Sequence, residues 1–160
     1  MHPNEQLLTK LFQCLNAHDS ESMAACYHEN ATFKDIAFTL ANKKQIHAMW
    51  DMICSANKAE VRSDIRVVVQ ELAANDSSGR AVLVEDYTYR DNGHRVHNKI
   101  MSTFEFRDGL IFKHDDDCDP VRWASQAFGS VRGLIPGHVE SVRRSAAMKK
   151  LKKERPHAFS

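Results

Sequence analysis

Residues 80–119 read RAVLVEDYTYRDNGHRVHNKIMSTFEFRDGLIFKHDDDCD, and this stretch decides the fold. It holds three strand-like runs in immediate succession, 80–91, 94–107 and 109–119. Asp91-Asn92-Gly93 joins the first two and Arg107-Asp108-Gly109 the last two. Asn-Gly and Asp-Gly supply the positive φ angles that a two-residue type I′ hairpin turn needs. A further run, 60–74, comes just before, with Ile65, Val67 and Val69 alternating against Arg66, Val68 and Gln70. The turn signal Asn75-Asp76-Ser77-Ser78-Gly79 separates it from the next run. Four hairpin-linked strands of this length imply a long antiparallel sheet that curls.

The residues upstream read as helices. Leu7, Leu8, Leu11, Phe12 and Leu15 recur at helical spacing over 5–17. Asp19 or Ser20 can cap a short second helix bearing Met23, Ala24, Cys26 and Tyr27. Residues 31–35, Ala-Thr-Phe-Lys-Asp, alternate as a short edge strand does. Asn42 can cap a third helix over 43–56 whose apolar stripe is Ile46, Met49, Trp50 and Ile53. After Asp119-Pro120 a short helix carries Val121, Trp123, Ala124, Ala127 and Phe128. The expected fold is α+β: a cone-shaped, strongly bent, mostly antiparallel sheet wrapped by three N-terminal helices, with a C-terminal helical extension. The cone domain spans residues 1–128 and a basic extension residues 129–160, the change falling near Gly129 and the Gly133, Pro136, Gly137 connector. The extension carries Arg143, Arg144, Lys149, Lys150, Lys152, Lys153 and Arg155, and reads as a solvated helix with a frayed end.

Composition narrows the function classes. At 160 residues with 42% apolar and 27% charged residues, the chain can bury a real core. A formal net charge of +1 gives no global pull toward nucleic acid or anionic lipid, so neither is an expected partner. No apolar run is long enough to span a bilayer. Met1-His2-Pro3-Asn4-Glu5-Gln6 has no basic segment leading into an apolar one, and Cys14, Cys26, Cys54 and Cys118 lack C-x-x-C spacing. Reduced thiols and a cytoplasmic location are the expectation.

The last strand, Asp108-Gly109-Leu110-Ile111-Phe112-Lys113-His114, with Asp116, Asp119-Pro120 and Gln126 after it, resembles that of the SnoaL-like proteins of the nuclear transport factor two-like superfamily. Ala25-Cys26-Tyr27-His28-Glu29-Asn30-Ala31-Thr32-Phe33 is similar to that family's entry into its first strand. The resemblance spans about residues 5–128. It implies a conical domain with a pocket between sheet and helices, and a homodimer formed through the open sheet face. It does not fix the activity, because the fold hosts isomerases, cyclases, dehydratases, epoxide hydrolases and non-catalytic binding modules. In the epoxide hydrolases the strand matching 80–91 carries an arginine and an aspartate; here those positions read Asp86 and Thr88, which counts against that chemistry.

Asp116 falls where the family's enzymes place a pocket carboxylate that acts as base or acid. An acid among apolar walls has its charged form disfavoured, which brings its pKa toward useful values. Strand parity puts Leu110, Phe112, His114 and Asp116 on one face, so His114 could share a proton with Asp116, and Cys118 falls on that face too. By parity with Val82 and Val84, Asp86 and Thr88 face one way, and Asp86 is a candidate to oppose Asp116. Tyr27 is a polarising candidate. His28, Phe33, Asp35, Trp50, Thr88, Phe112 and Cys118 complete the candidate pocket. His94 and His97 point to opposite faces, so no metal site is expected, and no cofactor motif is visible. The expected reaction is proton transfer on a small, apolar carbonyl compound, giving isomerisation, cyclisation or dehydration. The alternative is a binding or dimerisation module of the same fold, in which Asp116 ties down the strand end and His114 is a wall residue.

Overall fold

The computed structural model describes residues 1–55, 63–89 and 91–160. Helix α1 (Pro3–Asn16) begins with a capping box: His2 Nδ1 accepts the Asn4 N–H and the Glu5 carboxylate accepts the His2 N–H. Its stripe of Leu8, Leu11, Phe12 and Leu15 is buried. Asp19 caps α2 (Ser20–Ala24), and the Asn42 side chain accepts the Gln45 N–H at the start of α3 (Lys43–Cys54). The expected ends of the third helix at 56 and of the following strand at 60 lie outside the described residues.

Among the described residues six strands follow the order β2-β1-β6-β5-β4-β3 in one open sheet. They are β1 (Tyr27–Lys34), β2 (Thr39–Leu40), β3 (Arg66–Ala74), β4 (Ser78–Thr88), β5 (Arg95–Arg107) and β6 (Leu110–Asp117). All pairs are antiparallel except β1 with β6, which are parallel. The fold is therefore the expected α+β cone with a curved, mixed sheet. β1 is longer than the short edge strand read from residues 31–35, and β2 pairs outside it. Its first half, His28-Glu29-Asn30, has no apolar alternation to announce a strand, and its register slips between Tyr27 and Thr32.

The two hairpin signals part ways. Asp108 and Gly109 have φ of 54° and 73°, both positive, and form the expected two-residue turn between Arg107 and Leu110. At Asn92-Gly93 only Gly93 is left-handed (φ 77°). The Tyr89 N–H reaches His94 O at 2.7 Å and the Gly93 N–H reaches Tyr89 O at 2.8 Å, which closes a longer loop. The Asn92 side chain is drawn away to donate to Ala127 O, at the end of helix α4 (Pro120–Phe128).

The chain after α4 is not a frayed tail. A short turn of helix, α5 (Leu134–His138), leads into α6 (Glu140–Glu154), which lies against the cone. Leu151 and Ala158 join the same apolar core as α1 and α3. Arg143 is buried and donates to the carbonyls of Ile36, Pro136 and Gly137, while Arg155 pairs with Asp51. Arginines with backbone carbonyls to satisfy, rather than solvent, explain why so basic a helix packs inward. The four cysteines are free thiols.

Candidate functional site

A cavity of about 450 Å³ opens between the concave face of the sheet, α3, α4 and α6. Phe33, Met49, Trp50, Ile65, Ile100 and Trp123 give it apolar walls, and Ala147 and Lys150 of α6 border it. Four acids border it among the described residues: Asp35 from the β1–β2 loop, Glu85 from β4, Asp116 from β6, and Asp64 ahead of β3, whose carboxylate is taken up by Arg95 at 2.7 Å.

Behind Asp116 runs a chain of hydrogen bonds through the core. Trp50 Nε1 donates to the Tyr27 hydroxyl at 3.2 Å, and Tyr27 meets His114 Nδ1 at 2.8 Å. His114 Nε2 meets Asp116 Oδ1 at 2.8 Å, and the Ser102 hydroxyl donates to the same oxygen. Tyr27, Ser102 and His114 are all but inaccessible, at 0%, 1% and 1% exposure. Indole N–H can only donate, so the Tyr27 oxygen accepts there, and turning the Tyr27 proton to His114 Nδ1 satisfies every member of the chain. In that arrangement His114 Nε2 carries the proton that faces Asp116. Asp116 Oδ1 is an acceptor in both of its bonds, the arrangement that suits a carboxylate. Burial pushes the Tyr27 hydroxyl well above its ordinary pKa, so it stays a phenol.

Glu85 has none of this support. No hydrogen bond or ion pair joins its carboxyl to any described residue, and burial, with Asp116 and Asp35 nearby, pushes its pKa up to about 8. Asp35 is pushed up to about 6 by burial, against backbone N–H donors from Ala37 (2.7 Å) and Phe38 (2.5 Å) that favour its charge. At neutral pH the pocket thus holds a protonated Glu85 beside an ionised Asp35. Trp123 Nε1 donates to the Tyr87 hydroxyl at 2.7 Å, which leaves the Tyr87 proton for a guest. Burial holds the Cys118 thiol up at about 11, so it is no ready nucleophile.

Of the candidates read from sequence, Asp116, Phe33, Asp35, Trp50, Thr88 and Cys118 border the cavity. Tyr27 and His114 stand one layer behind it. Three candidates lie elsewhere. Asp86 is on the outer face of the sheet, 2.7 Å from His97, so it does not oppose Asp116. Phe112 faces out under the Arg107 guanidinium, 3.5 Å from its ring centre, with His28 edge-on against it. The cause is a bulge in β6: Glu105 pairs with Lys113 but Phe106 with Ile111, so Phe112 is the extra residue and parity reverses across it. Glu85 was missed because Val82 and Val84, taken as the inner set of β4, are the outer one. Ala81 and Leu83 are the buried pair.

The family profile of the SnoaL-like domain matches residues 8–114, two thirds of the chain. The chain belongs to the SnoaL-like family. No curated protein matches the sequence. Solved structures of the same shape show the fold and, at these identities, the fold alone. A LEH-like epoxide hydrolase of Mycobacterium tuberculosis is 15% identical, with 88% of this chain and 95% of that one covered at a TM-score of 0.62. A ketosteroid isomerase-like protein of Catenulispora acidiphila DSM 44928 in complex with trimethylamine is 10% identical (76% and 91% covered, TM-score 0.65). RV0760c of M. tuberculosis, in complex with estradiol-17beta-hemisuccinate, is 18% identical (72% and 93% covered, TM-score 0.60).

Proposed function

We propose that this SnoaL-like protein moves a proton on a small, apolar carbonyl compound by means of its own side chains. The observation that carries the reading is the buried Trp50–Tyr27–His114–Asp116 chain, which ends on a carboxylate facing an apolar cavity. Asp116 is the base. It takes a proton from the carbon next to the carbonyl, and His114 and Ser102 fix its position. Glu85, protonated at neutral pH, donates to the carbonyl oxygen as negative charge builds there, with the Tyr87 hydroxyl as a second donor. Returning the proton to a different carbon isomerises the compound; losing a β-hydroxyl dehydrates it. The apolar walls and the volume suit a guest of one to a few fused rings, and the steroid-derived ligand of the neighbour RV0760c is in keeping with that. On the outer sheet face Val68 (63% exposed) and Met101 (60%) form the surface through which two copies would pair, with Met101→Lys expected to shift sedimentation equilibrium to monomer.

The test uses cyclic β,γ-unsaturated ketones. Exchange of the α-protons is followed by NMR in D2O, and the conjugated product by ultraviolet absorbance. The reading expects exchange above the buffer rate that Asp116→Asn abolishes. Ketones that bind and show no catalysed exchange would leave the binding module as the function.

A further inference from the structure

Among the described residues the charge bordering the cavity is unbalanced: Asp64 at its edge is paired with Arg95, and the other three acids have no such cation. Asp35, Glu85 and Asp116 converge on it from three elements, and among the described residues no lysine or arginine pairs with any of their carboxyls. The cations nearest the mouth are engaged elsewhere. Lys150 Nζ sits 2.7 Å from Asp91. Arg144 donates to the carbonyls of Asp35 and Phe38 and to Glu140, and Arg143 to three other carbonyls. The walls between the acids are aromatic: Trp50, Tyr87 and Trp123. A neutral guest leaves the repulsion among the acids in place, and an anion adds to it. A cation removes it, and ring faces attract cations as well.

We propose that the cavity also takes a hydrophobic amine in its ammonium form, with the nitrogen among Asp35, Glu85 and Asp116 and the hydrocarbon against Trp50, Tyr87 and Trp123. This goes beyond the catalytic reading and stands whether or not a carbonyl compound is turned over. A ketone uses Glu85 with its proton; an amine uses it without. Binding of an ammonium guest at pH 7 therefore expels the Glu85 proton to the buffer. The groups that bear on that proton are Asp116, Asp35, Tyr87 and Cys118 on the sheet side, Asp86 through the strand from the outer face, Asp64 ahead of β3, and Lys150 on α6.

The experiment is titration calorimetry at pH 7 with 1-adamantylamine and with 1-adamantanol, its uncharged counterpart of the same shape. Running it in two buffers of different ionisation enthalpy counts the protons released. The amine is expected to bind roughly ten times more tightly than the alcohol or better, and to release close to one proton. Glu85→Gln is expected to lose both the release and most of the preference. Asp35→Asn serves as a second variant and is expected to weaken amine binding alone. Equal or tighter binding of the alcohol, absence of amine binding at millimolar concentration, or amine binding with no proton release overturns the proposal. Ketone exchange by a protein that prefers the alcohol refutes only the amine; amine binding without ketone exchange refutes only the catalytic reading.

Discussion

Asp116 and Glu85 open into the same cavity and are built in opposite ways. Asp116 is held from behind by two donors, one of them the end of a four-residue chain rooted in α3. Glu85 projects from β4 with no described partner and is pushed up to about 8. Two acids on one face of a hairpin sheet thus meet different surroundings. What separates them is hydrogen-bond support: Ser102 and His114 hold Asp116, and no described residue donates to Glu85. A base and an acid for one reaction need that separation.

The largest effect should come from removing the supported member. Asp116→Asn keeps the shape and the two hydrogen-bond neighbours but leaves no base, so catalysed α-proton exchange should fall by about 10²–10⁴-fold with ketone affinity little changed. Exchange at more than a tenth of the wild-type rate would mean that Asp116 is not the base. Next comes the support itself. Tyr27→Phe leaves the Trp50 N–H and His114 Nδ1 facing each other unpaired in the core. A cost of about 2 kcal/mol in urea unfolding is expected. The ¹⁵N shift of His114 Nδ1 should move to that of a ring nitrogen with no hydrogen-bond donor while Nε2 stays protonated toward Asp116; a merely destabilised protein would keep both shifts.

How much of this was legible beforehand differs by element. The helices, the Asp19 and Asn42 caps and the four long strands were visible because capping and alternation are local. The bulge at Phe112 was not, since one inserted residue leaves no mark on composition and reverses parity for everything before it. Glu85 is a different matter, because the signal was there. In β5, Val96, Asn98, Ile100, Ser102 and Phe104 are buried and alternate with an exposed set, Arg95, His97, Lys99, Met101, Thr103 and Glu105, that is charged or polar at every position but Met101. Glu85 pairs with Asn98 and Asp86 with His97. A two-residue turn at Asn92-Gly93 would have set Glu85 opposite Ile100 instead, which is on the same face. The unambiguous strand should have oriented the ambiguous one, as β4 is apolar on both sides. The inward packing of α6 could not be foreseen from charge, because its arginines answer to backbone carbonyls that only the fold supplies.

A third substitution sharpens the contrast through pH. The glutamate of an unfolded chain ionises near 4.5, whereas folding holds Glu85 at about 8. The folded state therefore keeps a proton that the unfolded state loses, and the wild type gives up stability as pH rises from about 4.5 to 8. Below that window the proton is present in both states and there is no penalty. Glu85→Gln, an isostere of the protonated acid, should melt within a degree of wild type near pH 4 and a few degrees higher at pH 8. A gap that closes with rising pH would mean that Glu85 has a cation partner.

The smallest effect is expected one residue along. Asp86 is 42% exposed on the far side of β4, and its partner His97 is 61% exposed. An ion pair so open to water contributes little, so Asp86→Asn should change stability by less than about 0.5 kcal/mol. It should leave ketone exchange as it is and narrow the melting difference with pH only slightly, since Asp86 is the least of the three charges that raise Glu85. The value of so quiet a variant lies in its neighbour. Asp86 and Glu85 share a strand, a charge and nearly a position, and differ in the face on which the pleat puts them. If Asp86→Asn altered the pH dependence and Glu85→Gln did not, β4 would be turned over and the acid facing Asp116 would be the other one. If Glu85→Gln does so strongly and Asp86→Asn only slightly, the orientation of one strand, set by its pairing with β5, accounts for which carboxyl meets the guest.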